Sequence, residues 1–200
     1  MYKVYSIFNL SSISNEMYQQ YLRFLPDDRM QKVLRYRNEV DQYNCVMSYL
    51  LTMYGIYKMF GVANPDIAAT KYGKLYLVDQ PGIHFNISHC SKGCVCAISD
   101  YAIGVDIQDI HPFSWTVANH CCSSAELRLL EDSANPAVDF TRIWTMKESF
   151  LKMKGTGIVD DLCTLDTTKL QDRIKTFAIN ECYISVASAE SFQEEEICLS

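Results

Sequence analysis

In the segment "AIGVDIQDI", residues 102–110, acids and an amide interrupt a stretch of otherwise Ile/Val character. Side chains alternate along a strand, so Gly104, Asp106 and Gln108 share one face while Ile103, Val105 and Ile107 point to the other. The glycine leaves room for something bulky to approach that face. A second group occupies "WTMKESFLKMK", where Glu148 and Lys152 are i,i+4 on a helix. They lie at the margin of an apolar face made by Phe140, Ile143, Trp144, Phe150 and Leu151. The carboxylates of Asp106 and Glu148 are hard oxygen donors suited to Mg²⁺, which takes one or two of them and fills its shell with water and phosphate oxygens. Two carboxylates with a pyrophosphate would suffice. Each feature alone has a plainer reading: a D-x-Q on a strand is most often a polar edge, and a Glu–Lys pair is a surface contact worth about 0.2–0.5 kcal/mol. Lys147 projects near the middle of the apolar stripe, so it must snorkel or meet an anion.

Groups able to hold phosphates are scattered. "FNISHC" resembles a phosphate-contact loop, with Asn86, Ser88 and His89 as short donors at the end of an apolar strand, the last also titrating near neutrality. Arg29 and Lys32 stand near a helix start, and Lys74 lies in "KYGKLY". Each of these cations, taken singly, is more often solvated, and a buried, hydrogen-bonded His89 is the commoner case.

These residues need elements to position them. "YKVYSIFNL" alternates as a strand, and Met17, Tyr18, Tyr21 and Leu22 follow at helical spacing over 14–24, with Leu25 just beyond. From Pro26 no Pro or Gly intervenes until Gly55, which predicts one or two long helices ending near Gly61. Extended segments are expected around the Gly73 turn, at 83–87 and at 94–99, and the polar turn between the last two is the expected place for chemistry. After the strand at 102–110 the pattern reads as loop, then helix over 124–130 and over 138–154, ended by Gly155 and Gly157. Short strands and turns follow, and "SFQEEEICLS" reads as a frayed tail. The sum is α+β, in two lobes at 1–100 and 101–200.

Bulk properties narrow the function classes. A chain of 200 residues, 48% hydrophobic and 21% charged, is long enough for one substantial core or two modest ones. Apolar runs are short of the 18 or so residues that cross a bilayer, and the start carries no small-residue cleavage site, so the expectation is a soluble, unexported, cytoplasmic protein without membrane contact. Nine scattered cysteines, odd in number, read as reduced thiols, and Cys90, Cys94 and Cys96 beside His89 lack the second cluster of a structural zinc site. The net charge of -6, with no basic run, argues against nucleic acid as a partner. Any polyanion must be met locally.

The order "KYGKLYL", "HFNISHC", "IGVDIQ", "WTMKESFLKMKGTGI" resembles that of 4'-phosphopantetheinyl transferases of the surfactin-synthetase-activating, Sfp-like type. The resemblance runs from "LPDDRMQKVLRY" through "GTGI", and the last 40 residues follow only loosely. It implies a monomer of two similar α+β lobes in pseudo-twofold arrangement, with coenzyme A in the cleft between them. The implied reaction moves the 4'-phosphopantetheine arm to a serine of an apo acyl or peptidyl carrier protein in fatty-acid, polyketide or nonribosomal-peptide synthesis, releasing adenosine 3',5'-bisphosphate. Carried over residue by residue, Asp106 and Glu148 become metal carboxylates, with Glu148 also the general base. Lys152 neutralises phosphate charge on the donor and leaving group. Lys74, Ser88 and His89 contact the coenzyme's adenosine and phosphates, Tyr72, Gly73 and Asn86 add to the same walls, and Arg29 and Lys32 grip the 3'-phosphate after a one-residue shift.

The chain departs from that pattern at Gln108, where many relatives carry a glutamate as third metal ligand. The amide oxygen, or a water in its place, can still coordinate, but one negative charge is lost. That charge is worth about 4 kcal/mol at a few ångströms before desolvation is deducted, so the ion is expected to bind more weakly in the free protein than when the coenzyme's pyrophosphate is present. Two other readings stay open: a coenzyme A or carrier-protein binding module without turnover, and a Mg²⁺-dependent pyrophosphohydrolase.

Overall fold

The protein is described by a computed structural model covering residues 1–157 and 162–192. Strand β1 (Tyr2–Phe8) opens the chain. Helix α1 (Asn15–Leu22) starts under the Ser14 side chain, which accepts from the Met17 N–H, and α2 (Asp27–Leu34) starts after Pro26 with Asp27 and Asp28 in its first turn, where acids favour the helix dipole. The helical stretch expected from Pro26 to Gly61 is two helices. It breaks between Leu34 and α3 (Glu39–Phe60), whose first turn is capped by Asn38 and whose end is Gly61 in the left-handed region at φ 70. A hairpin follows, β2 (Ile67–Ala69) and β3 (Leu75–Leu77), and then β4 (His84–Cys90) and β5 (Gly93–Ser99). The first three-stranded sheet has the order β1-β5-β4, antiparallel throughout. Helix α3 covers it, packing Val46, Leu51 and Ile56 with Leu77, Phe85 and Ile98.

The second half repeats this order except for the β2–β3 hairpin, which is replaced there by short 3-10 turns. Strand β6 (Ile103–Asp109) leads through α4 (Trp115–Cys121) and α5 (Ser124–Glu131) to the long helix α6 (Pro136–Lys154), then to the hairpin β7 (Ile174–Ile179) and β8 (Cys182–Ser188). The sheet order is β6-β8-β7. In both sheets a first strand, a long helix and a terminal hairpin follow in sequence, and the last strand lies in the centre. Helix α4 stands where the sequence reading expects loop. Its residues, "WTVANHC", are weak helix formers, and the turn is held instead by packing of Ala118 and Cys122 with Leu130 and Ile143. Helix α5 starts as the sequence pattern predicts, and here the cap is reciprocal: Ser123 and Glu126 each accept the other's backbone N–H.

Two contacts fix where the site stands. A Cβ on Gly104 would run into the Ser149 carbonyl and the Met153 backbone, so the bulky neighbour that this glycine admits is the backbone of α6 itself. The sheets meet along β4 and β6. The Val105 N–H donates to Asn86 Oδ1 at 2.9 Å, Ser88 Oγ to Asp106 Oδ1 at 2.8 Å and Ser91 Oγ to Asp109 Oδ2 at 2.9 Å. Partner numbers rise together along this seam, so the strands run parallel, joined by side chains in place of a backbone ladder. Residues 193–200, most of the expected frayed tail, and 158–161, including the Ile158 that ends "GTGI", lie outside the described residues.

Candidate active site

Strand β6 is an edge strand by pairing, yet its polar face is closed off by β4 and α6. Asp106 is 1% exposed, which excludes the solvated polar edge as the explanation of its place. Its Oδ1 accepts from Ser88 Oγ at 2.8 Å and from Lys152 Nζ at 2.5 Å, and the same ammonium donates to Ser88 Oγ at 2.9 Å. Its Oδ2 accepts from Gln108 Nε2 at 3.2 Å, the i,i+2 neighbour on one strand face. Three elements distant in sequence therefore converge on one carboxylate: β4 by Ser88, β6 by Asp106 and Gln108, and α6 by Lys152.

Glu148 lies one turn before Lys152 on α6 and is half-buried. Burial first, and then the charge of Asp106, push its carboxyl above the ordinary range, while Lys152 pulls it partly back. Two carboxylates near enough to perturb one another, with an ammonium bound to one of them, can hold a proton, a cation or a phosphoryl group. Desolvation, reinforced by Lys152, holds His89 below its ordinary value and so neutral at pH 7.

Beside this cluster is a hollow of about 310 Å³ lined by Lys32, Tyr72, Gly73, Lys74, Glu148 and Lys152, with Asn86 on its wall. A smaller one of about 50 Å³ adjoins it, sharing Lys32 and adding Arg29 and His89. The predicted cations thus approach two adjoining hollows from α2, from the β2–β3 turn and from α6. Lys74 is tied down there: its Nζ donates to the Met153 carbonyl at the C-terminal end of α6, and desolvation lowers its pKa. Arg29 lies over the Tyr49 ring at 5.3 Å from its centroid. A larger hollow, about 790 Å³, opens elsewhere between Asn9, Val40, Lys92 and Glu181, and none of the predicted site residues lines it.

Several expectations change here. Asn86, Ser88 and His89 lie within β4, not in a loop, and the polar turn beyond them, Ser91 and Lys92, faces the larger hollow. A strand serves the site better, because alternation turns Asn86 and Ser88 onto β6. His89 reaches the surface although neighbouring groups partly desolvate its ring, so it is not the fully buried histidine of the plainer reading. Asn86 satisfies the free edge of β6 as well as lining the hollow. Lys147 does find an anion: it is 0% exposed, 2.8 Å from Glu126 Oε2, and donates to the Leu162 and Leu165 carbonyls. Glu126 in turn accepts from Thr167 N and Oγ1 at 2.9 and 2.7 Å. The sequence reading missed Glu126, although its place in the Ser123 capping pattern was legible. It also missed Leu75, Phe85 and Leu151 in the walls of the larger of the two site hollows, which no signal separates from ordinary core.

Residues 102–198 match the 4'-phosphopantetheinyl transferase superfamily. The chain is 26% identical to the 4'-phosphopantetheinyl transferase Sfp of Bacillus subtilis (strain 168), over 98% of this chain and 91% of that protein. It is 31% identical to the 4'-phosphopantetheinyl transferase ffp of Bacillus subtilis, covering 78% of this chain and 71% of the relative. Identity to the 4'-phosphopantetheinyl transferase gsp of Aneurinibacillus migulanus is 30%, over 73% and 64%. The first similarity reaches across both sheets, and so includes β4 and α2 as well as the β6–α6 half that carries Asp106, Glu148 and Lys152. Motif order, convergence of those motifs on one carboxylate, and likeness along nearly the whole chain agree, and the chain belongs to the 4'-phosphopantetheinyl transferase superfamily, in its Sfp-like branch.

Proposed function

We propose that the protein transfers the 4'-phosphopantetheine arm of coenzyme A to a serine of an apo acyl or peptidyl carrier protein, with Mg²⁺, releasing adenosine 3',5'-bisphosphate. The observation that carries this reading is the meeting of Asp106, Glu148 and Lys152 beside a hollow that Lys32 also lines and that adjoins a smaller one lined by Arg29. Carboxylates and cations thus line the same region, as a donor with a pyrophosphate and a further phosphate requires.

In this scheme the coenzyme lies along these hollows, its 3'-phosphate toward Arg29 and Lys32 and its adenosine between the Tyr72–Gly73 turn and His89. Neutral His89 would act there as a hydrogen-bonding group without charge. Lys74, Ser88 and Lys152 stand along the phosphates. Glu148 takes the proton of the incoming serine hydroxyl, directly or through a water. The serine oxygen attacks the β-phosphorus, and Lys152 stabilises charge on the phosphoryl oxygens and the departing bisphosphate. Asp106 and Glu148 would hold the Mg²⁺, whose contribution is to neutralise phosphoryl charge. The donor set fits, since it is all oxygen and carries one net negative charge with Lys152 counted, which leaves the remainder to the pyrophosphate. Gln108 is the third proposed ligand position.

The finer architecture belongs to the same proposal: two lobes, 1–100 and 101–200, related by a pseudo-twofold axis, acting as a monomer in the cytoplasm. The shared order of strand, long helix and hairpin supports the first point. Among the described residues no helix is long and apolar enough to cross a membrane.

The direct test is incubation with coenzyme A, Mg²⁺ and a panel of apo carrier proteins, read by mass spectrometry. One carrier should gain the mass of a single phosphopantetheine arm, and no gain with any of them would count against the proposal. The missing charge at Gln108 favours a second reading, a coenzyme A or carrier-binding module, which would bind coenzyme A saturably without transfer at any Mg²⁺ concentration.

A further inference from the structure

We infer that in the coenzyme-free protein Gln108 and Lys152 together stand against Asp106 where a divalent ion would stand, so that the ion is taken up only in company with the coenzyme's pyrophosphate. The inference rests on the transferase reading above and assigns Gln108 a task other than ligation.

Both carboxylate oxygens of Asp106 are engaged. Ser88 and Lys152 donate to its Oδ1 and Gln108 to its Oδ2, and the residue is buried. An ionised carboxylate only accepts hydrogen bonds, so the Gln108 amide must turn its NH₂ toward Asp106 and its carbonyl oxygen away. It cannot in that pose present the oxygen to a cation seated on Asp106. A glutamate at 108 would set a second negative charge against Asp106, with Glu148 close by, and would be tolerated only with a cation between them. The amide removes that need, since its N–H occupies the oxygen that an ion would claim.

Ion uptake by the free protein would thus require Lys152 to leave Asp106 and the Gln108 amide to turn over, stranding a partly buried ammonium. A pyrophosphate changes both requirements. It offers Lys152 a new anionic partner and supplies oxygens for the ion's shell, while Ser88 can stay on Oδ1 and keep the carboxylate oriented.

The test uses Mn²⁺ as probe and the electron paramagnetic resonance signal of the free aqueous ion as readout, so turnover is not involved. The native chain alone should leave the signal nearly unchanged, and the chain with coenzyme A should reduce it beyond what coenzyme A does without protein. Gln108→Glu should take up Mn²⁺ without coenzyme at least about tenfold more tightly than the native chain, and its melting temperature should rise with Mn²⁺ alone while that of the native chain does not. Tight uptake by the native chain alone, equal to that of the variant, overturns the inference, and this arm needs no variant to fold. If the native chain takes up no Mn²⁺ even with coenzyme A, the transferase reading falls and the inference with it. Equal uptake without coenzyme, alongside a normal coenzyme response, overturns the inference alone.

Discussion

Glu148 is where a local environment sets the chemistry. Its carboxyl is raised above the ordinary range, chiefly by burial and then by Asp106, so it keeps a proton in the folded state at pH values where the unfolded chain has lost it. Such a group adds stability below the ordinary carboxylate range, and that stability is lost as pH rises through the folded value. At neutral pH the native chain therefore carries a strained base. Glu148→Gln should melt higher than the native chain at pH 7.5 and show a smaller advantage near pH 4, while transfer to a carrier falls by about 10²–10⁴. An unchanged rate would remove Glu148 from the base role. Asp106→Asn leaves Lys152 and Ser88 facing a neutral amide, and should cost about 1–3 kcal/mol in urea denaturation as well as abolish transfer. The residue types and spacing at 106, 148 and 152 were legible in the sequence. The hydrogen bonds of Gln108 and Ser88 to Asp106 were not, because nothing local says which oxygen each side chain will face.

At the scale of elements, the decisive fit is between β6 and α6. Gly104 lets the helix backbone lie directly on the strand, and this closeness brings Lys152 to Asp106. Gly104→Ala must push the two apart, and we expect at least about 3 kcal/mol of destabilisation with loss of transfer. A fully active, equally stable alanine variant would show that the spacing is not critical. The back of α6 is pinned by the buried Lys147–Glu126 pair, which also ties down the backbone at Leu162, Leu165 and Thr167. Lys147→Met alone should lose about 3–5 kcal/mol because Glu126 is left charged and buried, and adding Glu126→Leu should restore much of it. Lys147 was readable as needing an anion because it falls on an apolar helical stripe. Its partner was unreadable, since Glu126 comes from another helix. Helix α4 was missed for the same reason in reverse: its propensity is poor and its packing makes it.

For the whole molecule, the parallel seam between β4 and β6 joins the two sheets through Asn86, Ser88 and Ser91 without a shared ladder. The proposed coenzyme cleft lies along this junction, with α2 and the β2–β3 turn on one side and α6 on the other. A ligand that touches both halves binds only the assembled fold. Coenzyme A with Mg²⁺ at 100 times its dissociation constant should therefore raise the unfolding free energy by about 2.7 kcal/mol, seen as a higher melting temperature. The same addition should do much less for Lys152→Ala. An equal shift in both proteins would place the coenzyme elsewhere.

The sequence by itself determined the periodic elements, their caps and breaks, and the residue types able to handle a pyrophosphate. These are local properties, written in helical and strand spacing and in turn chemistry, and the order of four short motifs was enough to suggest the family. Only the tertiary structure decided that Asp106 is buried, that Gln108 donates to it, that Lys74 serves the end of α6 and that Lys147 is a structural ion pair. All but the Gln108 contact, which joins i,i+2 neighbours on one strand, depend on which distant segment comes within reach. Such contacts are set by the packing of whole elements, to which a single residue's neighbours in sequence contribute little.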